Sequence, residues 1–201
     1  MWPLTLVDVL AVTAFALSGA WRGRDKRLDA LGVVMLAVIT AFGGGWLRDL
    51  LLSRGIPVSL RSPWYLPLAA GVGLVSVVAF PRWTNRLERA VRIADALGLG
   101  LYSASAARLA LDAGLPVLSV CLLAVVTGAG GGILRDLIVN EIPLVFRREI
   151  YALCAVAGAL AMVGLDQLGT PRDLALAAGA TLTAGIRLLA IRRGWNLPAP
   201  G

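Results

Sequence analysis

The sequence predicts an all-α, polytopic membrane protein, with seven transmembrane helices built as an inverted three-plus-three repeat and a seventh helix outside it. Three observations carry that expectation. Of 201 residues, 58% are apolar and 15% charged, with a mean hydropathy of +0.80; soluble domains average ~45–50% apolar and ~25% charged. The apolar residues fall in seven runs, about 4–20, 29–52, 64–80, 93–111, 116–139, 149–167 and 173–191, each near the roughly 17–25 residues that a bilayer-crossing helix needs. Finally, Gly43-Gly44-Gly45-Trp46-Leu47-Arg48-Asp49 recurs as Gly130-Gly131-Gly132-Ile133-Leu134-Arg135-Asp136.

The first run carries Asp8 and lacks a basic leader, so it reads as a mature helix rather than a secretory signal. The second and fifth runs carry the doubled motif. The third and sixth follow an Ile-Pro step, Ile56-Pro57 and Ile142-Pro143. A shift of 87 residues aligns Asp8 with Asp95, Ser18 with Ser105, Thr40 with Thr127 and the whole motif with itself; after a one-residue slip Tyr65 meets Tyr151. The chain therefore reads as a single transmembrane domain over 1–201, with repeat one at about 4–80, repeat two at about 93–167 and the seventh helix at about 173–191. Three spans per unit is an odd number, so the second unit runs in the opposite orientation.

The basic residues support an odd count of spans. Arg22, Arg24, Lys26, Arg27, Arg82, Arg86, Arg89, Arg92, Arg147, Arg148, Arg192 and Arg193 flank one side; Arg54, Arg61, Arg108 and Arg172 flank the other. The excess of cations marks the cytoplasmic face. This predicts a plasma-membrane (bacterial inner-membrane) protein with an external N-terminus and a cytoplasmic C-terminus. Trp2, Trp21, Trp64, Trp83 and Trp195 fall near span ends and read as interface anchors.

Several function classes drop out. The chain has no histidine, which removes His-based zinc sites, triads and bases. Cys121 and Cys154 lie in apolar runs and match no metal or disulfide pattern. No nucleophile–base set is present, so the chain does not read as an enzyme, and no cofactor is expected. The net charge of +7 belongs to helix flanks, so anionic lipid headgroups are the natural partner and nucleic acid is not.

The candidate site is the doubled motif. Three glycines in a helix interior cost ~1 kcal/mol each against alanine, which suggests a broken helix in the second and fifth spans, or else tight small-residue packing. A break would expose helix-end carbonyls, which carry the negative end of the dipole and suit cations. Gly43, Gly44, Gly45, Gly130, Gly131 and Gly132 are thus candidate hinges on an ion path. Arg48, Asp49, Arg135 and Asp136 are candidate gating or charge-pair residues. Side chains at i,i+1 do not face each other on a helix, so the expected pairs are Arg48 with Asp136 and Arg135 with Asp49. The alternative for Arg48 is that it snorkels to the far interface. Asp8 and Asp95 read as charges at the two mouths of the path, or as ordinary helix-start acids. Ser18, Ser105, Thr40 and Thr127 are possible pore-lining residues.

The doubled Gly-Gly-Gly-x-x-Arg-Asp, the Ile-Pro after each copy and the three-plus-three-plus-one spans resemble bacterial members of the trimeric intracellular cation (TRIC) channel family, over about residues 4–191. The resemblance implies a homotrimer with one pore per protomer. It also implies permeation by K⁺ and, less selectively, Na⁺ through helices two and five. Animal members place a lysine-containing motif where this chain has Arg. Related bacterial sequences have been labelled glycine transporters. The residues alone leave three classes open: a K⁺-permeable cation channel, a secondary transporter of glycine or another small solute, and a structural membrane protein.

Overall fold

The computed structural model describes residues 6–79, 85–147 and 150–195. Trp2, Trp83, Arg82 and Arg148 lie outside them, as do the side chains of Arg86 and Arg147. The described residues form nine helical segments: α1 (Leu6–Asp25), α2 (Ala30–Leu51), α3 (Val58–Arg61), α4 (Tyr65–Ala79), α5 (Asn85–Asp112), α6 (Val117–Ile138), α7 (Leu144–Arg147), α8 (Tyr151–Gln167) and α9 (Arg172–Arg193). Seven are long and match the seven apolar runs. The other two, α3 and α7, are single turns that follow each Ile-Pro step. The seven apolar runs do not include them, because four residues cannot show a helical period.

Local chemistry sets the ends. Asp29 caps α2, its carboxylate accepting from the Gly32 amide at 2.7 Å, a standard N-cap arrangement. Pro116 and Pro171 precede α6 and α9, where a missing N–H costs nothing. Left-handed residues stop the helices: Ser53 and Gly55 after α2, Asn140 after α6, and Gly194 after α9. The helices α2, α6 and α9, 22 residues each, are long and apolar enough to cross a bilayer, while α4 and α8 are apolar but shorter.

The packing has two triangles. Helices α1, α2 and α4 pack on one another, and so do α5, α6 and α8; α2 joins the triangles through α6 and α1 through α5, while α9 lies on α5 and α8. The cores are rich in small residues, with Ala16, Ala20, Ala37, Ala41 and Ala69 in the first triangle and Ala106, Ala107, Ala110 and Ala124 in the second. In a membrane such residues let backbones approach closely enough for dispersion and weak hydrogen bonds to hold helices together. Cys121 and Cys154 are buried, and the Cys154 thiol donates to the Ile150 carbonyl. Trp21 is also buried, against Ala14, Val91 and Ala94. It is therefore a core residue, in contrast to the expected interface anchor; Trp64 and Trp195 are exposed.

The glycine runs correct the main structural expectation. Both α2 and α6 run as continuous helices through Gly43–Gly45 and Gly130–Gly132. The glycines serve close approach. A Cβ on Gly44 would collide with the Thr127 carbonyl, and one on Gly131 with the Thr40 carbonyl; at Gly130 it would stand 2.9 Å from the Cα of Gly44. The two clashes are equivalent under the 87-residue shift. An intact helix keeps every backbone bond satisfied, which in lipid outweighs the modest propensity cost of glycine.

This predicts a position-specific response. Gly44→Ala and Gly131→Ala should each destabilise by ~1–3 kcal/mol through overpacking. Gly45→Ala, where a Cβ would meet nothing nearer than Arg48 Nη2 at 3.8 Å, should be neutral or stabilising by up to ~1 kcal/mol. Thermal unfolding of the three variants in detergent checks the ranking.

Candidate functional site

The α2–α6 crossing places the charges. Contacts pair Gly44 with Thr127, Thr40 with Gly131 and Gly43 with Leu134, so the two helices run antiparallel. Arg48 and Asp136 lie four and five residues beyond Gly44 and Gly131, in opposite directions. At 1.5 Å per residue this separates them by ~14 Å along the axes. The expected cross-repeat pairs therefore do not form. Each arginine instead curls back onto its neighbour. Arg48 Nε and Nη2 reach Asp49 Oδ1 at 2.9 and 2.8 Å, and Arg135 Nε donates to Asp136 Oδ1 at 2.8 Å. The long arginine stem makes possible what Cβ directions alone argue against.

The two aspartates have a second matched role. Asp49 Oδ2 accepts from the Val58 amide at 3.4 Å and Asp136 Oδ2 from the Leu144 amide at 3.2 Å. Each carboxylate thus ties its arginine to the first turn of the one-turn helix after the Ile-Pro step. The Ile-Pro spacing was the one sequence signal for this link.

Beyond these shared features the two sites differ. Arg135 is 1% exposed. Its Nη1 donates to Asp95 Oδ1 at 2.8 Å and to the Ser18 hydroxyl. Asp95 is buried at 2%, so it is a counter-ion inside the protein and not the mouth charge expected of it. Its helix position is far enough inside the bundle for Arg135 to reach it. Arg187 of α9 is buried beside this cluster, its guanidinium 4.5 Å from the Tyr151 ring centroid. It falls inside the seventh apolar run, 173–191, outside the doubled motif. Only a void of about 10 Å³ remains between Gly132, Arg135, Asp136 and Tyr151, space for about one water molecule.

At the other end, Arg48 borders a cavity of about 500 Å³. Asp8, Asp49, Tyr65, Tyr102 and Ser105 line it, together with Arg54 and Arg61. Arg48 is 11% exposed at its side chain and reaches this cavity. Asp8 and Ser105, two of the candidate residues, both line this cavity. Thr40 and Thr127 are fully buried at the helix crossing, Thr40 donating to its own helix at the Leu36 carbonyl; their backbones, not their hydroxyls, make the interhelical contact.

One further ion cluster escaped the sequence reading. Glu141, just after α6, pairs with Lys26 at 2.6 Å and Arg22 at 3.1 Å at the end of α1. Arg24 donates to the Ser76 carbonyl of α4 at 2.6 Å. Cations counted as topology signals thus also fasten α1 to its neighbours.

A bundle of long apolar helices enclosing charge clusters, each paired locally, defines a polytopic integral membrane protein. A sequence-family profile described as "Glycine transporter" matches residues 5–81 and 92–167, the two triangles. A UPF0126 membrane protein of Deinococcus radiodurans is 41% identical over 96% of this chain and 89% of its own. The UPF0126 inner membrane protein YadS of Escherichia coli K12 is 35% identical over 96% and 93%. Among solved structures, a prokaryotic TRIC channel in 0.5 M KCl superposes with a TM-score of 0.89 at 35% identity over 96% of this chain and 97% of that one. The TRIC trimeric intracellular cation channel orthologue from Rhodobacter sphaeroides superposes at 0.86, with 34% identity over 94% and 97%. The chain belongs to the bacterial branch of the TRIC family.

Two outcomes are expected here. Arg135→Met leaves the buried carboxylates of Asp95 and Asp136 without their guanidinium and should cost ~3–5 kcal/mol; adding Asp95→Asn should recover part of it, as thermal unfolding of the single and double variants will register. At Glu141, burial alone would push the carboxyl up, but the Lys26 hydrogen bond and the charges of Arg22 and Lys26 outweigh it and hold the carboxyl below the usual glutamate range. Its stabilising effect is therefore complete above the unfolded value of ~4.3 and is lost as pH falls through the lower folded one. Melting curves should show wild type exceeding Glu141→Gln at pH 7, with the gap closing below about pH 4.

Proposed function

We propose that this protein is a K⁺-permeable cation channel, with one pore per protomer running between the two helix triangles beside α2 and α6. The observation that carries this reading is the inequality of two equivalent sites. The Arg48 site opens onto a cavity of about 500 Å³ bearing Asp8, whereas the Arg135 site is closed by two carboxylates and a hydroxyl. A wet vestibule ending on a sealed charge cluster is the form of a gated path in its closed state. Arg135, held by Asp95, Ser18 and Asp136, is the closing element, and opening requires its guanidinium to leave them. The solved relatives described as TRIC cation channels support the same reading.

Its further parts belong to the same proposal. The 201 residues act as one transmembrane domain made of an inverted repeat plus α9. The cavity faces the outside, and the Arg135 cluster and the C-terminus face the cytoplasm, in accord with the basic flanks. The chain assembles as a homotrimer, as the relatives' description as trimeric channels supports. Since both helices are continuous, Gly44 and Gly131 act as a sliding contact on this reading, not as preformed breaks.

Single-channel recording of the purified protein in a planar bilayer under asymmetric KCl tests it. Unitary currents reversing near the K⁺ equilibrium potential are expected. Electrical silence from correctly inserted protein that accumulates radiolabelled glycine in vesicles would replace this reading with a solute transporter. Ser18→Ala removes one charge-assisted hydrogen bond from Arg135; such a bond is worth ~1.5–3 kcal/mol, so the open-to-closed ratio should rise by roughly 10- to 100-fold.

A further inference from the structure

The segment joining α2 to α4 carries a group of hydrogen-bond donors without a protein acceptor among the described residues. Ser53 and Gly55 take left-handed conformations and turn the chain sharply, and the Asp49 carboxylate holds the start of α3. Arg61, the last residue of α3, lies back over this turn, its Nη2 3.5 Å from where a Cβ on Gly55 would stand. That places it against the residue that follows Arg54. Both border the mouth of the large cavity, and among the described residues neither has an ion-pair partner. The Ser62 hydroxyl, also on the cavity wall, is buried without a hydrogen-bond partner. In the second half Arg54 is matched by Glu141, an acid that pairs with Arg22 and Lys26; Arg61 is matched by Arg147, whose side chain lies outside the described residues.

The surroundings of these donors are apolar. Ile56, Leu60 and Trp64 are 60%, 53% and 61% exposed, although the segment is short and flanked by charge. Tryptophan at that place fits the headgroup level of a bilayer. Two guanidiniums and a hydroxyl favour an acceptor-only, multiply charged oxyanion, for which phosphate geometry suits arginine well. The adjoining apolar side chains call for acyl chains on the same ligand.

We propose that Arg54, Arg61 and Ser62 bind the phosphate of an anionic phospholipid whose acyl chains lie against Ile56, Leu60 and Trp64. The bound phosphate offsets the positive charge at the cavity mouth, where three arginines face Asp8 and Asp49. That the lipid belongs to the outer leaflet rests on the orientation proposed above; the site itself does not. A consequence for conduction is that K⁺ flux rises with anionic lipid content.

The test is the melting temperature of the purified protein in detergent, titrated with short-chain phosphatidylglycerol, phosphatidylcholine or inorganic phosphate. Phosphatidylglycerol should raise it saturably, and the other two should not. Arg54→Ala/Arg61→Ala should raise the half-saturating concentration on the order of 30-fold, at a factor of ~5 per basic residue. Arg54→Lys/Arg61→Lys should retain most of the effect, and Arg172→Ala, an exposed arginine elsewhere, all of it. An equal response to inorganic phosphate would make this a free-phosphate site and overturn the lipid assignment. An unchanged phosphatidylglycerol response in the double alanine variant would overturn the site. Melting needs no ion flux, so this result stands apart from whether the protein conducts.

Discussion

The backbone-to-backbone crossing of α2 and α6 is the constraint on which the rest of the structure depends. Gly44 against the Thr127 carbonyl and Gly131 against the Thr40 carbonyl leave no room for a side chain. Two helices locked at that distance and running antiparallel carry their following charges to opposite ends of the molecule. Everything at the candidate sites follows from this separation. Arg48 and Arg135 cannot serve each other's aspartates, so each finds its counter-ion in its own triangle and each aspartate also anchors the one-turn helix that comes next.

A buried arginine in a bilayer is tolerable only when its charge and donors are met. For Arg135 the requirement is met fully: Asp136 comes from its own helix, Asp95 from α5 and Ser18 from α1. That network joins both triangles at one point. For Arg48, among the described residues, Asp49 alone is in ion-pair contact, and Arg48 borders a cavity. The same seven-residue motif therefore produces a closed site and an open one. A conduction path with a vestibule on one side and a constriction on the other needs such a difference between near-identical halves.

The basic residues at the end of α1 illustrate how one residue set answers two demands. Arg22, Arg24 and Lys26 satisfy the charge asymmetry that orients membrane helices. They also reach Glu141 and the Ser76 carbonyl, fastening α1 to the end of α6 and to α4. Charge asymmetry is a matter of composition and can be read without coordinates. Fastening depends on which loop comes within ~3 Å.

Much of the fold was legible because its signals are long and repeated. Seven apolar runs, the 87-residue spacing and the basic flanks all extend over enough residues to stand above chance, and the family followed from the doubled motif. The one-turn helices escaped because four residues carry no period. The glycine runs were misread as breaks because helix propensity is a local quantity, whereas the partner that makes glycine necessary, a carbonyl on another helix, is 83 residues from Gly44 and 91 from Gly131. The ionic partners were misassigned for the same reason: spacing on one helix gives the direction of a Cβ, not the reach of an arginine stem or the offset of a crossing. By itself the sequence determined the class of protein and, through the doubled motif, its family, since burial in lipid is dictated by composition and length. Only the tertiary structure decided which arginine is sealed and which faces a cavity, because that depends on the angle and register at which two continuous helices meet.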